Sequence, residues 1–207
     1  MNVNLWSNAE HALAYLAERD TIPHRAEGYG VLAEMLPPAA DRVLDLGCGD
    51  GDALAVVIGA YPGAHGVGLD FGAEMLRRAT DRFAGDDRVS IAHHDLSEPL
   101  PELGDFDVIV SSFAIHHLAP TRQQALYGEV FGRLRPGGVF MNLEHVASST
   151  DALHDEFQAA IGRDDDPSNQ LVAVPDHLRW LRDWGFADAD CMWKWRELAL
   201  LRGLRPA

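Results

Sequence analysis

The sequence predicts a doubly wound α/β fold, in which helices cover both faces of a largely parallel sheet. Short apolar segments of strand length alternate with longer segments of helical period, which is typical of such folds. The first of these strands continues into a glycine-rich turn at residues 47–51 and then into a helix. The 207 residues suffice for one compact domain with a full core and are few for two.

The chain opens with two predicted helices. Residues 5–17 are amphipathic, and a second helical segment spans residues 25–36 before Pro37 and Pro38 end it. Neither segment has a neighbouring strand in the sequence. We therefore expect residues 1–36 to form a helical cap on the domain that follows. Arg25 of this cap could reach a carboxylate of a bound ligand, but a surface position is the favoured alternative.

The central segment carries five predicted strands. They are apolar runs of strand length, and the segments between them have the period of amphipathic helices. An Arg-Pro-Gly-Gly turn at residues 135–138 closes the last of these helices before the fifth strand begins. The strands span residues 42–46, 65–69, 89–93, 106–110 and 139–143, and the helices span residues 52–59, 73–83 and 121–134.

The C-terminal part is predicted to add two helices and a terminal pair of strands. Residues 150–163 and 175–184 have helical patterns, and residues 186–201 contain two strand-like runs. The polar loop at residues 164–169 is suited to cover a cleft. We expect a single domain over residues 1–207, made of the cap at 1–36, a core at 40–146 and the C-terminal part at 147–207.

The composition is strongly acidic. Lysine and arginine total 17 against 32 aspartates and glutamates, which gives a net charge of −15. Proteins that bind nucleic acids or anionic membranes use basic patches, and the sequence contains no basic stripe. The composition therefore argues against both kinds of partner.

Cysteine usage and hydropathy indicate the compartment. Cys48 and Cys191 are far apart and form no CxxC pair or zinc-type cluster, so a disulfide scaffold is excluded. The first 20 residues lack the unbroken apolar stretch of a signal peptide, and no later run approaches membrane-spanning length. We expect a soluble, cytoplasmic protein.

The glycine-rich turn differs from the common nucleotide-binding fingerprints. Gly47, Gly49 and Gly51 form G-x-G-x-G, whereas a dinucleotide fingerprint needs G-x-G-x-x-G, and the Gly-Lys-Ser/Thr of a phosphate loop is missing. Acidic residues surround the turn, at positions 45, 50 and 52. These carboxylates would repel a pyrophosphate and attract a cationic ligand, which argues against NAD and ATP.

Two further acidic residues follow strands of the predicted sheet. Asp70 ends the second strand, about 20 residues past the glycines, where a carboxylate can accept hydrogen bonds from both hydroxyls of a ribose. Asp95 lies at the corresponding end of the third strand. Together with the turn, they predict a cleft for an adenosine ligand that carries a positive group.

Several segments resemble the motifs of class I S-adenosylmethionine-dependent methyltransferases. Val-Leu-Asp-Leu-Gly-Cys-Gly-Asp-Gly at residues 43–51 is similar to their first motif, and Gly-Val-Gly-Leu-Asp-Phe-Gly-Ala-Glu-Met-Leu at residues 66–76 is similar to their second. Residues 94–96, 106–118 and 134–140 are similar to the later motifs of the family and follow in the same order. The resemblance identifies residues 40–146 as a cofactor-binding core and extends more loosely to the terminal strands.

The resemblance implies a Rossmann-like sheet of seven strands in the order 3-2-1-4-5-7-6, with the last strand antiparallel. It implies that S-adenosyl-L-methionine is the cofactor, with Asp45 and Gly47 at its methionine end, Asp70 at the ribose and Asp95 at the adenine amino group. Phe71 would lie against the adenine ring, and Ser112 would face the sulfonium. The full set of expected cofactor-binding residues is Asp45, Gly47, Cys48, Gly49, Asp70, Phe71, Met75, His94, Asp95, Leu96 and Ser112.

Two adjacent histidines are the candidate catalytic residues. Methyl transfer by in-line displacement needs alignment of the acceptor and exclusion of water, and needs a base only if the acceptor loses a proton early. His117 and, second to it, His116 follow the fourth strand at the ligand end of the sheet, where an imidazole can accept that proton. Glu144 and His145 occupy the same position after the fifth strand.

The acceptor is narrowed by motifs that are missing. The fourth strand is not followed by the Asn/Asp-Pro-Pro-Tyr run of amino-group methylation, and no Pro-Cys supplies a cytosine nucleophile. A metal ion held by His116, His117, Glu144 and His145 could orient a catechol-type acceptor. Adjacent ligands rarely point to one centre, however, and no spacing matches a zinc site, so we predict no metal. We expect a small-molecule acceptor and a monomer or homodimer, with the methylated element left open.

Two alternative functions stay open from the sequence. The chain could be a non-catalytic module or partner subunit that binds S-adenosylmethionine without transferring its methyl group. It could also be a nucleotide-dependent oxidoreductase on a related fold, although the acidic turn disfavours this function.

Overall fold

A computed structural model describes residues 9–162 and 164–207, and in that part of the chain seven strands form one sheet. The strand order is 3-2-1-4-5-7-6, as expected. The first five strands pair in parallel, and the seventh is antiparallel to the fifth and the sixth. The strands are β1 (Arg42–Leu46), β2 (His65–Asp70), β3 (Val89–His93), β4 (Phe106–Ser112), β5 (Leu134–His145), β6 (Ala187–Trp195) and β7 (Leu198–Leu204).

The helices follow the predicted order with small shifts at their ends. The first helix begins at residue 9, and the predicted residues 5–8 lie outside the described part, as does residue 163 at the end of a later predicted helix. The helices are α1 (Ala9–Glu18), α2 (Arg25–Glu34), α3 (Asp52–Ala60), α4 (Ala73–Arg82), α5 (Pro120–Arg133), α6 (Asp151–Ile161) and α7 (Val174–Asp183).

Two apolar cores stabilise the sheet. Leu54 and Val57 of α3 pack with Leu32 of α2 in one buried cluster that also contains residues of β1, β4 and β5. Tyr127 of α5 and Trp180 of α7 belong to the other, with different residues of the same strands. Successive residues of a strand point to opposite faces, so a sheet buried on both sides needs nearly continuous apolar strands.

The fifth strand begins earlier than predicted. Residues 135–138 were expected to be a turn outside the sheet, but β5 starts at Leu134, which pairs with Phe106 before a shift in register. The C-terminal segment causes the difference: the Gly137 N–H donates to the Arg205 carbonyl oxygen, and the Arg205 N–H donates to that of Gly138. The last strand likewise ends at Leu204, beyond the predicted residue 201.

The arrangement brings the carboxyl ends of β1 to β5 to one edge of the sheet, because these strands run in parallel. Ligands of doubly wound folds bind at that edge. Within the described residues, no helix has the length and apolar character needed to cross a membrane.

Candidate functional site

The glycine-rich turn after β1 adopts a conformation that few other residues tolerate. Gly47, Gly49 and Gly51 have φ angles of 67°, 55° and 89°. The turn is closed by the Gly51 N–H, which donates to the Cys48 carbonyl oxygen, and is tied to β2 because the Cys48 N–H donates to that of Leu69. A Cβ at Gly47 would lie 2.3 Å from the Cβ of Ala114, so the turn lies directly against the segment that leaves β4.

Asp70 connects this turn to the segment after β2. One carboxylate oxygen accepts the Gly49 N–H at 2.8 Å, and the other accepts the Gly72 N–H at 2.7 Å. Burial raises the pKa of this carboxyl, and these backbone hydrogen bonds oppose the shift. The two bonds orient the carboxylate at the edge where a ribose is expected, and each oxygen keeps a lone pair for a ligand.

Asp45 lies beneath the turn and is fully buried. Its Oδ2 accepts the Leu54 N–H, whereas its Oδ1 is buried with no hydrogen-bond partner among the described residues. Burial raises the pKa of Asp45 to about 8. An orphaned carboxylate oxygen fits a ligand with an ammonium or sulfonium group, because a cation would favour the ionised form.

A cavity follows the turn and the ends of β2, β3 and β4. Ten of the eleven predicted cofactor-binding residues line it: Gly47, Cys48, Gly49, Asp70, Phe71, Met75, His94, Asp95, Leu96 and Ser112. Asp45, the eleventh, is below the surface of the cavity. The lining also includes Arg19, Arg25, Tyr29, Phe113, Ala114, His117 and Leu118.

Arginines of the chain neutralise the acidic residues beside the turn. Arg19 forms two hydrogen bonds with Asp50, at 2.6 and 2.8 Å, and Arg82 bonds to Asp50 and Asp52. These two carboxylates also line the cavity, and they connect the segment after α1 to α4. The Arg19 contact was not foreseen, since 31 residues separate the partners in sequence.

Arg25 is buried, with 8% of its surface exposed, so its predicted surface position is wrong. Its guanidinium donates to the hydroxyl of Tyr29 and lies over the rings of Tyr29 and Phe113. The Tyr29 hydroxyl in turn lies 2.9 Å from the Oγ of Ser112. The N-terminal cap therefore contributes a cation to the wall of the cofactor cavity.

A second cavity of about 570 Å³ adjoins the first. Both cavities are lined by Phe113 and His117, which lie at their boundary. Phe113 has a φ angle of 51°, a strained conformation for a residue other than glycine, and such strain is often found at functional sites. The remaining wall includes Ile22, His116, His145, Phe157, Ile161, Leu198 and the acidic loop at 164–166.

The two predicted catalytic histidines have different surroundings in this second cavity. His116 Nδ1 lies 2.5 Å from Oε1 of Glu144, which is fully buried. His117 Nδ1 lies 3.1 Å from the Oγ of Ser168, in the loop after α6. Burial lowers the pKa of both imidazoles well below the ordinary value, so both rings are neutral at neutral pH.

Three donors hold the Glu144 carboxylate. Besides His116, the backbone N–H of His145 donates to Oε1 at 2.9 Å, and the Asn142 amide donates to Oε2 at 3.3 Å. Burial raises the pKa of Glu144, and these hydrogen bonds oppose the shift. The sequence analysis placed Glu144 at the right edge of the sheet but did not predict its bond to His116.

Among the residues that the structure describes, no group of three or more His, Cys, Asp or Glu side chains is arranged to hold a metal ion. His116 and His117 are close, with ring centroids 4.0 Å apart, but they are tilted by 45° and bond to different partners.

The fold, the glycine turn and the acidic strand ends define an α/β protein suited to an adenosine-containing ligand, and comparisons with known proteins specify which kind. The profile of a methyltransferase domain family matches residues 43–138. The demethylmenaquinone methyltransferase of Clavibacter sepedonicus is 30% identical over 198 residues, which cover 83% of this chain and 76% of that protein.

Solved structures share the whole fold. An O-methyltransferase family protein from Burkholderia thailandensis superposes with a TM-score of 0.76 at 20% identity, covering 98% of this chain and 62% of that one. Human N-acetylserotonin methyltransferase, solved in complex with S-adenosylmethionine, has a TM-score of 0.71 at 17% identity, with coverage of 98% and 58%. The chain thus spans about 60% of the length of these two neighbours.

The chain belongs to the class I S-adenosylmethionine-dependent methyltransferases. Its cofactor is S-adenosyl-L-methionine, and the oxidoreductase alternative is wrong. The orphaned Oδ1 of Asp45 and the oriented carboxylate of Asp70 both fit this cofactor, which carries a cationic sulfur, an ammonium group and a ribose.

Gly47→Ala should destabilise the protein more than Gly137→Ala does. Both glycines have positive φ, which costs an alanine roughly 1–2 kcal/mol, but only Gly47 is crowded, whereas nothing lies within 4 Å of a Cβ at Gly137. Overpacking against Ala114 adds about 1–3 kcal/mol. Urea unfolding measures both losses, and equal losses would show that the turn does not depend on close approach to β4.

Proposed function

We propose that the protein transfers a methyl group from S-adenosylmethionine to a hydroxyl oxygen of a small molecule bound in the second cavity. The observation that carries this proposal is the imidazole of His116, which is held by a buried glutamate and lies in the wall of a cavity that adjoins the cofactor cavity. An imidazole paired with a carboxylate is a suitable base for a hydroxyl or phenol proton.

The cofactor is proposed to lie along the ends of β1 to β4. Asp70 would bind the ribose hydroxyls, Asp95 the adenine amino group and Phe71 the adenine ring. Asp45 and Gly47 would hold the methionine end, where Arg25 is available to the carboxylate. Bound there, S-adenosylmethionine supplies an activated methyl group on a positively charged sulfur.

Residues of the second cavity would align the acceptor and accept its proton. We propose that His116 Nδ1 donates to the Glu144 carboxylate, so that Nε2 carries the lone pair that accepts the proton of the acceptor hydroxyl. Glu144 stabilises the imidazolium that results. The neighbouring Phe113 and His117 would align the acceptor, because both line the boundary between the cavities.

The N-terminal cap and the loop after α6 both contribute to this cavity. Ile22 and Ala14 come from the N-terminal cap, and Asp166, Pro167 and Asn169 come from the loop after α6. The loop is anchored to the segment that contains His116 and His117, since the Gln170 N–H donates to the His116 carbonyl oxygen at 2.7 Å. We propose that cap, core and C-terminal part act as one domain whose two outer segments exclude water.

We propose that the enzyme acts in the cytoplasm. Both cysteines are free, which suits the reducing cytoplasm, and no membrane or nucleic acid partner is proposed for so acidic a chain. The proposed acceptor is a small molecule, and the proposed assembly is a monomer or a homodimer.

Asp70→Ala should weaken binding of the demethylated cofactor, S-adenosylhomocysteine, by about 1.5–3 kcal/mol, or roughly 10- to 100-fold. The substitution removes charge-assisted hydrogen bonds to the ribose hydroxyls. Isothermal titration calorimetry measures the loss. The control is Asp81→Ala, at an exposed ion pair of α4, which should bind normally. Unchanged affinity in Asp70→Ala would remove this residue from the site.

Residues 9–36 and 164–169 should exchange amide hydrogens more slowly when S-adenosylhomocysteine is bound. The cofactor cavity encloses about 100 Å³, less than the roughly 300–1,000 Å³ of small-molecule sites, so the covering segments must open and close again. Hydrogen exchange with and without ligand measures this change. The exposed end of α4 serves as the internal reference, and equal protection of both segments in the two states would contradict a covering role.

His116→Asn should lower the turnover of a probe acceptor such as 2-naphthol by roughly 10²- to 10⁴-fold. The wild-type rate should rise with pH through the pKa of the buried imidazole, below its ordinary value of 6.5, because only the neutral ring accepts a proton. The variant should lose this acidic limb and keep its affinity for S-adenosylhomocysteine.

Two companion variants sharpen the result. His117→Asn tests the neighbouring imidazole that the sequence analysis placed first, and His93→Asn, at an exposed position of β3, is the control. Loss of the acidic limb in His117→Asn alone would transfer the role of base to that residue. If His116→Asn and His117→Asn both keep the limb and merely melt earlier, the enzyme works by proximity without a base.

A further inference from the structure

The second cavity contains another imidazole held by a buried carboxylate. His145, at the end of β5, has its Nε2 2.9 Å from Oε2 of Glu197, a residue between β6 and β7 that is fully buried. Oε1 of Glu197 lies 3.0 Å from Nδ1 of His154 on α6. A buried carboxylate is costly unless it is hydrogen-bonded, and this one is held from two sides. The proposed proton transfer uses His116 and Glu144 and gives the imidazole of His145 no role.

The two imidazoles are arranged in the same way. His116 and His145 each bond to a buried glutamate through one ring nitrogen, and both residues line the same cavity. The second ring nitrogen of each imidazole has no hydrogen-bond partner among residues 9–162 and 164–207. Neither nitrogen is fully buried, so a ligand in the cavity can reach it. Their ring centroids are 5.4 Å apart and the rings are inclined by 70°.

The glutamates determine which hydrogen bonds the free nitrogens make. In the tautomers that donate to these glutamates, the ring proton of each imidazole lies on the nitrogen that bonds to the carboxylate. His116 Nε2 and His145 Nδ1 are then both acceptors. A ligand that satisfies both must bring two hydrogen-bond donors, and two hydroxyls on adjacent atoms can provide them to rings whose centroids are 5.4 Å apart.

One part of the remaining wall of the cavity is apolar, whereas Glu18 and the acidic loop at 164–166 make another part polar. Phe113, Ile161 and Leu198 contribute to its wall, and the ring of Phe157 packs on the ring of His145 with centroids 5.2 Å apart. A flat ring against these side chains would gain apolar contact, while its two hydroxyls face the histidines.

We propose that the acceptor is an aromatic compound with two hydroxyls on adjacent carbons. His116 accepts the proton of the hydroxyl that is methylated, and His145 accepts a hydrogen bond from its neighbour and thereby selects the substrate. His145 is a specificity-determining residue, and Glu197 positions it. The inference rests on the proposed O-methyl transfer, and it adds the requirement for a second hydroxyl.

The test compares two matched probes, 2,3-dihydroxynaphthalene and 2-naphthol, which differ by one hydroxyl. Isothermal titration of protein saturated with S-adenosylhomocysteine should show about tenfold tighter binding of the diol, as one additional hydrogen bond provides. His145→Phe retains a ring against Phe157 and should abolish the preference by weakening diol binding alone. Glu197→Gln, which frees His145 to change its tautomer, should reduce the preference in the same direction.

His154→Gln is the matched control. His154 bonds to the same glutamate but does not line the cavity, so this variant should retain the full preference for the diol. Thermal unfolding of each variant separates a lost contact from a lost fold. The Glu197→Gln variant provides the result if His145→Phe does not fold.

The outcomes distinguish this inference from the proposed function. If 2-naphthol is methylated while the protein shows no preference for the diol, or keeps that preference in both His145→Phe and Glu197→Gln, the inference is overturned and O-methyl transfer stands. If the diol preference depends on His145 but neither probe is methylated, the substrate class is supported and the proposed transfer to oxygen fails. If neither probe binds, the inference is overturned.

Discussion

The close approach of the glycine turn to the exit of β4 is the constraint on which the site depends. Gly47 lies against Ala114 at a distance that excludes any side chain, and it is held there by the parallel pairing of β1 with β4. The turn contributes to the cofactor cavity, and the residues next to Ala114 contribute to the acceptor cavity. One contact between two backbone segments therefore places the two cavities side by side, and methyl transfer requires that proximity.

Charge is distributed differently in the two cavities. Around the cofactor, Asp50 and Asp52 are neutralised by arginines of α4 and of the segment after α1, and Asp45 is left without a protein cation beside it. Around the acceptor, Glu144 and Glu197 are buried and are held by histidines. Since a buried carboxylate must be compensated, each glutamate also determines the tautomer and the direction of an imidazole.

The N-terminal cap connects the two cavities with the rest of the protein. Arg25 lies over Phe113, whose strained backbone separates the cavities, and Tyr29 reaches Ser112 at the end of β4. Arg19 ties the same segment to the glycine turn through Asp50. The N-terminal cap therefore contacts the segment that lines both cavities, and ligand binding in the first cavity and water exclusion in the second would depend on the same contacts.

The sequence by itself indicated the doubly wound fold class and, through its resemblance to the methyltransferase family, the order of the sheet and the expected cofactor-binding residues. The predicted bounds of β1 and β3 agree with the structure, and ten of the eleven expected residues line one cavity. The motifs that carry the resemblance are local, because a glycine turn after an apolar strand and an acidic residue at a strand end each lie within a short segment of the chain.

Only the tertiary structure decided the partners of the histidines and the place of the arginines. His116 and Glu144 are 28 residues apart, and His145 and Glu197 are 52 apart, so no local pattern connects them. Arg25 looks like a surface residue in a polar helix, yet it is buried against the rings of Tyr29 and Phe113. The reason is physical: hydrophobic periodicity predicts which face of an element is covered, but the element that covers it, and thus the partner of each buried polar group, depends on how distant segments pack together.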